Sequence, residues 1–476
     1  MSNSNSTSSI PGPPPMPLLG WRGNILSFAL DPVAFTERLH RQYGDIVAVT
    51  RGSTKHVFVF TPAYNHQILS DTDLFHVFEM PFEVPPGSSL SRLLTIPGQM
   101  NSTDNVQQRR VMLTTLGRKM YTRYQHHLVD MVTDWLNSWQ IGEEREIFQE
   151  LIQLATAVPC RAIFDLDPQG NGRKIVDLLH EWGDALLAFS TRVISFDLPG
   201  SSYRRFLRSS EKLEVAYRDL IAQYRMKGDV GGDTLRLLVD LHDSDPEELS
   251  EHQLLGQINN LFNAGNTSRA AIIAWTVFLL AQHPPYLSEI QEELEQVLNG
   301  RSPGLDDLRQ LTHLHAALQE SMRLLPPMTW MPREATAPTQ LGPYAIPAGS
   351  VVMCSPFVTQ RQPDIYPQPD QFRPHRWQEA KPSVYEYLAF GAGARMCPGR
   401  DLATLEMMTV LAMILQRYQL VPVPHKAIDR VGVMPATPRR MPMRIQSPYI
   451  SYVVRPCKGN INRWLKLDTY IGAMKT

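Results

Sequence analysis

One cysteine, Cys397, lies in the stretch Phe390-Gly391-Ala392-Gly393-Ala394-Arg395-Met396-Cys397-Pro398-Gly399. A thiolate that binds a metal needs backbone N–H groups aimed at its sulfur, and those need a tight turn. Gly393 and Gly399, four residues before and two after the cysteine, permit that turn and the close approach of a flat cofactor. Pro398 stiffens the exit, and from Asp401 apolar residues recur at helical spacing. Cys397 is therefore expected at a helix N-terminus, whose positive dipole end favours the ionised sulfur. Arg395 adds a fixed charge of the kind that pairs with a carboxylate. A structural cysteine in a Gly-rich turn would explain a lone Cys, but here each position meets a separate requirement.

Two further groups of residues bear chemistry. Asn263-Ala264-Gly265-Asn266-Thr267-Ser268 lies inside a predicted helix over 250–283, where a glycine costs about 1 kcal/mol against alanine. Glu320 and Arg323 share a face of a predicted helix over 311–325, and Phe372-Arg373-Pro374-His375-Arg376-Trp377 follows. Alone, an E-x-x-R pair is surface decoration worth under about 1 kcal/mol.

The ten-residue loop resembles the haem-binding signature F-x-x-G-x-R-x-C-x-G of the cytochrome P-450 superfamily. The resemblance implies haem b, with Cys397 as axial thiolate and metal ligand, pushing electron density into iron so as to favour O–O cleavage. Phe390, Gly393, Arg395 and Gly399 then shape the cofactor loop, and Arg395 meets a haem propionate. The family often carries H-x-x-x-R in this region, contacting both haem propionates; here Asn105 takes the His place and Arg109 the Arg place. Glu320, Arg323 and Arg376 match its buried charge network. Its central helix commonly reads A-G-x-[D/E]-T-[T/S], with a glycine that admits dioxygen and an acid–alcohol pair that relays protons. This chain has Gly265, then Thr267 in the acid position and Ser268 in the alcohol position, so the usual carboxylate is missing. Pocket lining is implied for Phe78, Phe82, Leu93, Leu94 and Ile96 in the irregular stretch 75–100, for Ala264, for Thr329 and Trp330, and for Met434. The proline run 10–20 and the segment Leu198-Pro199-Gly200 are similar to eukaryote-like bacterial members that act on terpenoid, retinoid or sterol-like lipids.

These groups need a scaffold. At 476 residues, length alone suggests two or three domains. The order of the motifs implies one instead: a tail over 1–9, a single catalytic domain over 10–445, and an extension of unknown role over 446–476, with an amphipathic helix at 460–474. The 46 basic and 47 acidic residues give no charge to attract nucleic acid. Four widely spaced cysteines suggest neither disulfides nor zinc, so a reducing, cytoplasmic setting is expected. The longest apolar run, 270–281, is too short for a transmembrane span and reads as a core helix. Helices are predicted over 31–43, 104–116, 124–139, 145–164, 174–189 and 204–225. Strands are predicted at 46–50 and 57–60, and a hairpin at 344–353.

The expected fold is mainly α, one large helical domain with a smaller β-rich N-terminal region, with haem between the central helix and the Cys loop. The expected function is a monomeric haem-thiolate monooxygenase that inserts one atom of dioxygen into a lipophilic terpenoid, steroid or fatty acid. No flavin or iron–sulfur motif occurs, so electrons come from a separate ferredoxin or flavin reductase. Arg118, Lys119, Arg123, His126 and His127 form a basic cluster suited to such a partner. Two alternatives are a hydroperoxide isomerase or peroxygenase that needs no external electrons, and a non-catalytic haem-dependent lipid binder.

Overall fold

Proline governs how the chain begins. Residues 10–15 run extended along the first strand, and the Ala48 N–H donates to the Pro11 carbonyl at 2.9 Å. A Cβ at Gly12 would lie 1.9 Å from the Ala48 oxygen, so this approach requires glycine. The computed structural model describes residues 9–50, 55–78, 84–95, 103–115, 118–188, 190–191, 196–227, 232–432, 435–450, 454 and 457–465. Phe82, Ile96 and Met434, the tail over 1–8 and most of the helix expected at 460–474 lie outside the described residues.

In chain order the first half holds α1 (Trp21–Leu30), α2 (Pro32–Tyr43), β1 (Ile46–Ala48), β2 (His56–Val59), α3 (Pro62–Ser70), β3 (Phe75–Val77), α4 (Ser89–Leu93), α5 (Thr103–Thr115) and α6 (Arg118–Asn137). Next come β4 (Glu144–Glu146), α7 (Ile147–Ala162), α8 (Arg173–Leu187), α9 (Ser202–Lys227), α10 (Gly232–Ser244), α11 (Glu251–Asn263), α12 (Asn266–Ala281) and α13 (Pro284–Leu298). The remainder is α14 (Leu305–Leu308), α15 (Thr312–Leu324), β5 (Met331–Ala335), β6 (Thr339–Leu341), β7 (Tyr344–Ile346), β8 (Val351–Cys354), α16 (Pro356–Thr359), α17 (Arg376–Glu379) and α18 (Arg400–Arg417). The last described elements are β9 (Gln419–Pro422), β10 (Arg430–Val431), β11 (Thr437–Pro438), β12 (Pro442–Gln446) and α19 (Ile461–Leu465).

The fold is mainly helical. Helix α12 is buried around almost its whole circumference, as its run of Ala, Ile, Trp, Val, Phe and Leu requires, and forms the middle of the main core. The largest sheet has the order β1-β2-β8-β5-β3. The expected hairpin of β1 and β2 pairs Ile46 with Val59. Strand β2 then runs parallel to β8, so the β-rich region joins N-terminal strands to strands some 300 residues later.

Three expectations are corrected. The hairpin expected over 344–353 does not form: β7 pairs with β6, whereas β8 lies between β2 and β5. All four residues of β8 are buried and find their partners on both sides in the larger sheet, and Pro347 has no N–H to continue the β7 ladder. The stretch 75–100 is not irregular throughout, because it holds β3 and α4, the latter capped by the Ser88 hydroxyl accepting from the Ser91 N–H at 3.1 Å. The helix expected over 250–283 is two helices. Residues beyond 445 also pack: Ile461 and Leu465 are buried, and the Trp464 carbonyl accepts from Arg361 Nη2 at 3.3 Å. Among the described residues no single helix is long and apolar enough to cross a membrane, and all four cysteines are free.

Candidate active site

The Cys397 N–H donates to the Phe390 carbonyl at 2.8 Å and closes the loop on itself. Within it, Gly393–Arg395 forms a 3-10 turn. Gly393 has φ +70°, and a Cβ there would lie 2.0 Å from the Leu69 carbonyl oxygen. Glycine alone lets the loop seat on the end of α3. At Gly399 a Cβ would meet nothing within 4 Å, so open space adjoins the start of α18. Cys397 stands just before that helix, as expected. Burial pushes its thiol above the ordinary value; the Gly399 N–H and the charges of Arg109, Arg269 and Arg400 pull it back toward the thiolate. Cys354 and Cys160, buried without such a ring of cations, are pushed up to about 12.

Arg395 is half-buried, and burial, then Arg333 and Arg109, hold its guanidinium below the usual range. Three arginines from the loop, β5 and α5 thus converge. Arg333 was missed in the sequence, where Met331-Pro332-Arg333-Glu334-Ala335 reads as an ordinary half-exposed strand with no motif around the arginine. Such a cluster is complementary to a dianionic ligand. With a thiol at a helix N-terminus and open space at Gly399, the residues present fit a haem.

Behind the loop, Glu320 and Arg323 are fully buried. Arg323 Nε and Nη2 donate to the two Glu320 oxygens at 2.9 and 2.8 Å. Arg376 Nε (3.1 Å), the Arg373 N–H (2.9 Å) and Trp377 Nε1 (3.0 Å) complete the shell around the carboxylate. Burial would raise the Glu320 carboxyl, but Arg323 and Arg376 hold it below its ordinary value. Arg323 Nη1 also donates to the Gln360 carbonyl at 2.9 Å, and Gln360 Oε1 accepts from the Leu388 N–H at 2.8 Å. That route reaches the loop two residues before Phe390.

The central helix breaks at Ala264 and Gly265. Ala264 is extended (ψ 122°), and Gly265 is left-handed (φ +76°), a region that costs other residues about 1–2 kcal/mol. The carbonyls released by the break are not left bare. Asn266 Nδ2 donates to the Phe262 carbonyl at 3.0 Å, and Arg269 Nη1 to that of Ala264 at 2.9 Å. Arg269 Nε in turn donates to Glu406 of α18 at 2.9 Å, and the Tyr124 hydroxyl donates to the other Glu406 oxygen. Burial, then Glu406, raise the Tyr124 phenol far above its ordinary value and keep it a donor. Arg269, Glu406 and Tyr124 form a second buried cluster that the sequence reading passed over, since no short spacing links residues on three helices. Thr267 and Ser268 are half-buried in the first turn of α12. Deeper in that helix, Thr276 instead spends its hydroxyl on the Ile272 carbonyl at 2.8 Å.

The residues expected to line a pocket fall into different settings. Ala264 and Gly265 are exposed at the break, and Phe78 is half-buried. Leu93 is fully buried, and its carbonyl anchors Asn259 Nδ2 at 3.0 Å. Thr329 is buried as well, while Trp330 meets Phe28 of α1 edge-on at 5.2 Å. The basic cluster on α6 is partly neutralised: Arg123 pairs with Asp165 at 2.7 Å and Asp233 at 3.7 Å, and His126 with Asp130 at 3.2 Å.

A family model described as Cytochrome P450 matches residues 11–438. Ent-kaurenoic acid oxidase 2 of Arabidopsis thaliana is 27% identical over 423 residues, covering 84% of either chain. Cyclooctat-9-en-7-ol 5-monooxygenase of Streptomyces melanosporofaciens is 28% identical, covering 88% of this chain and 90% of its own. Pentalenene oxygenase of Streptomyces avermitilis is 24% identical, covering 85% and 90%. Among solved structures, the haem domain of cytochrome P450DA superposes with a TM-score of 0.79 at 20% identity, over 93% of this chain and 98% of that one. A retinoic-acid-bound cyanobacterial protein superposes at 0.77 with 21% identity, over 93% and 100%.

Proposed function

The chain belongs to the cytochrome P450 family, and from that premise we propose a haem-thiolate monooxygenase that inserts one atom of dioxygen into a terpenoid-class lipophilic substrate. The family places it among oxidoreductases that use haem with a cysteine thiolate on iron. The single observation that carries the assignment to residues is the Cys397 turn, with the Gly399 N–H on its sulfur, surrounding arginines and glycine-only seat on α3. Cys397 would be the metal ligand; Arg395, Arg333 and Arg109 would meet the carboxylates of the haem, and Phe390, Gly393 and Gly399 would shape its bed. Bound there, the group supplies the redox chemistry that activates dioxygen.

The residues of the chain supply the rest. Ala264 and Gly265 leave an open notch where the helix breaks. The hydroxyls of Thr267 and Ser268 each carry a proton and two acceptor lone pairs, enough to hold a water and pass a proton along it. Glu406 does not serve as the missing acid, because Arg269 and Tyr124 engage both of its oxygens. The names of the plant and Streptomyces relatives support a terpenoid substrate. Electrons would come from a separate ferredoxin or flavin reductase.

Replacing Cys397 by Ser should abolish the red-shifted carbon-monoxide band of the reduced protein; a retained band would remove Cys397 as ligand. Terpenoids should shift the haem spectrum and yield hydroxylated product with a reductase system. The engagement of Glu406 also favours a second reading, a peroxygenase or hydroperoxide isomerase. Product formed from hydroperoxide and none with reductase would select it.

A further inference from the structure

We propose that Glu289, His313 and His375 form a binding site for a zinc-class divalent transition metal, separate from the Cys397 centre. Their ligand atoms, one carboxylate oxygen and two ring nitrogens, all lie within 4.8 Å of one another. They come from three elements: Glu289 from α13, His313 from the first turn of α15, and His375 from the residue before α17.

The spacing carries the argument. His375 Nε2 lies 3.3 Å and His313 Nδ1 3.6 Å from the same oxygen, Glu289 Oε2. Charge-assisted hydrogen bonds between such groups close to about 2.7–2.9 Å. Metal–ligand bonds of about 2.0–2.2 Å place tetrahedral donor atoms about 3.3–3.6 Å apart, which is the separation of each imidazole nitrogen from the Glu289 oxygen. Two imidazoles and a carboxylate are also the donor set that borderline first-row cations take, zinc above all, with a fourth position left to water.

The ligands are held from outside the site. The buried Glu293 accepts from the His313 N–H at 2.7 Å and the Leu314 N–H at 3.0 Å, which fixes the start of α15 and offsets its positive end. The Tyr286 hydroxyl donates to the His313 carbonyl at 3.0 Å, and its ring lies edge-on to His375 at 4.9 Å. The two imidazoles stand at 88° to each other. All three side chains reach solvent, so an ion can enter. His375 directly precedes Arg376, which contacts Glu320, so an ion here pins the loop that completes the buried network.

The test uses the haem-loaded full chain after dialysis against EDTA, with zinc titrated against a chromophoric chelator. One equivalent should bind in the low micromolar range or tighter. Glu289→Gln, His313→Ala and His375→Ala should each weaken it by roughly tenfold or more. The zinc K-edge spectrum should show imidazole scattering. Zinc should raise the melting midpoint by roughly 1–3 °C in the parent and not in His375→Ala. Binding weaker than about 100 µM, binding unchanged in all three variants, or sulfur in the first shell would overturn the site. Tight binding with no rise in the midpoint would overturn its role in pinning the loop.

Discussion

Glu320 and Glu406 are both buried carboxylates paired with an arginine, and both flank the Cys397 loop, yet they are built differently. Glu320 accepts from two nitrogens of Arg323, from Arg376, from Trp377 and from one backbone N–H. Glu406 accepts from one nitrogen of Arg269 and from Tyr124. The first pair is three residues apart on one helix, so helical spacing alone puts its two side chains on one face. The second spans 137 residues and exists only once α12 and α18 have packed. The first behaves as a fixed keystone behind the loop. The second is a clasp on a helix break, where the backbone is already non-helical and has another arrangement within reach.

The comparison breaks most visibly at Glu320. Glu320→Ala or Arg323→Ala leaves an opposite charge buried without its partner, at a cost of about 3–5 kcal/mol. Neither variant should retain haem on gel filtration; normal haem loading in both would reduce the network to packing. Arg269→Ala should cost less, about 3 kcal/mol, because its side chain keeps 11% of its exposure. Its mark is local: faster amide exchange over 264–270 with the Glu320 region unchanged. Exchange that rises equally in both regions would show that the two clusters are one unit.

A smaller effect is expected at the hydroxyls. Ser268→Ala removes one hydrogen-bond donor, worth about 1 kcal/mol or several-fold, and should divert reducing equivalents from product to peroxide while substrate binding holds. Thr267→Ala is its companion, and Thr267→Glu restores the acid. If neither alanine variant changes the product-to-peroxide ratio, the proton relay fails. The mildest test is acid. Glu214 is subject to burial, which would raise it, but hydrogen bonds from Arg92 and Arg218 hold its carboxyl at about 2, against an ordinary 4.5. A carboxyl so depressed contributes stability that is fully present above its unfolded value and lost as pH falls through its folded one. Contact between α4 and α9 should therefore loosen between about pH 4.5 and 2, and Glu214→Gln should remove that dependence.

What was legible in the sequence follows from the range over which each feature is determined. The Cys397 turn is local: three glycines and a proline within ten residues, and a helix that starts directly after them. The Glu320 pair was readable because helical spacing imposes it. The helix break was half readable, since Gly265 stood out as misplaced, but its cause lay in Asn266 and Arg269 capping carbonyls that only the bent chain exposes. Arg333 and Glu406 could not be found by spacing, because their partners arrive from other elements. The misplaced hairpin has the same origin. Turn residues at 347–349 mark a reversal, but which strand β8 then joins is decided by burial on both its faces.

The proline strap has a consequence for how this molecule behaves among copies of itself. Strand β1 is an outer strand of the five-stranded sheet, and an uncovered outer strand is a template on which another chain can add. Residues 10–15 lie along that border and take up the Ala48 N–H. Pro11, Pro13, Pro14 and Pro15 have no N–H of their own, so the strap ends the sheet without offering the next chain a ladder to continue. The tight fit at Gly12 is thus a terminator for sheet growth, written into the proline run that borders β1.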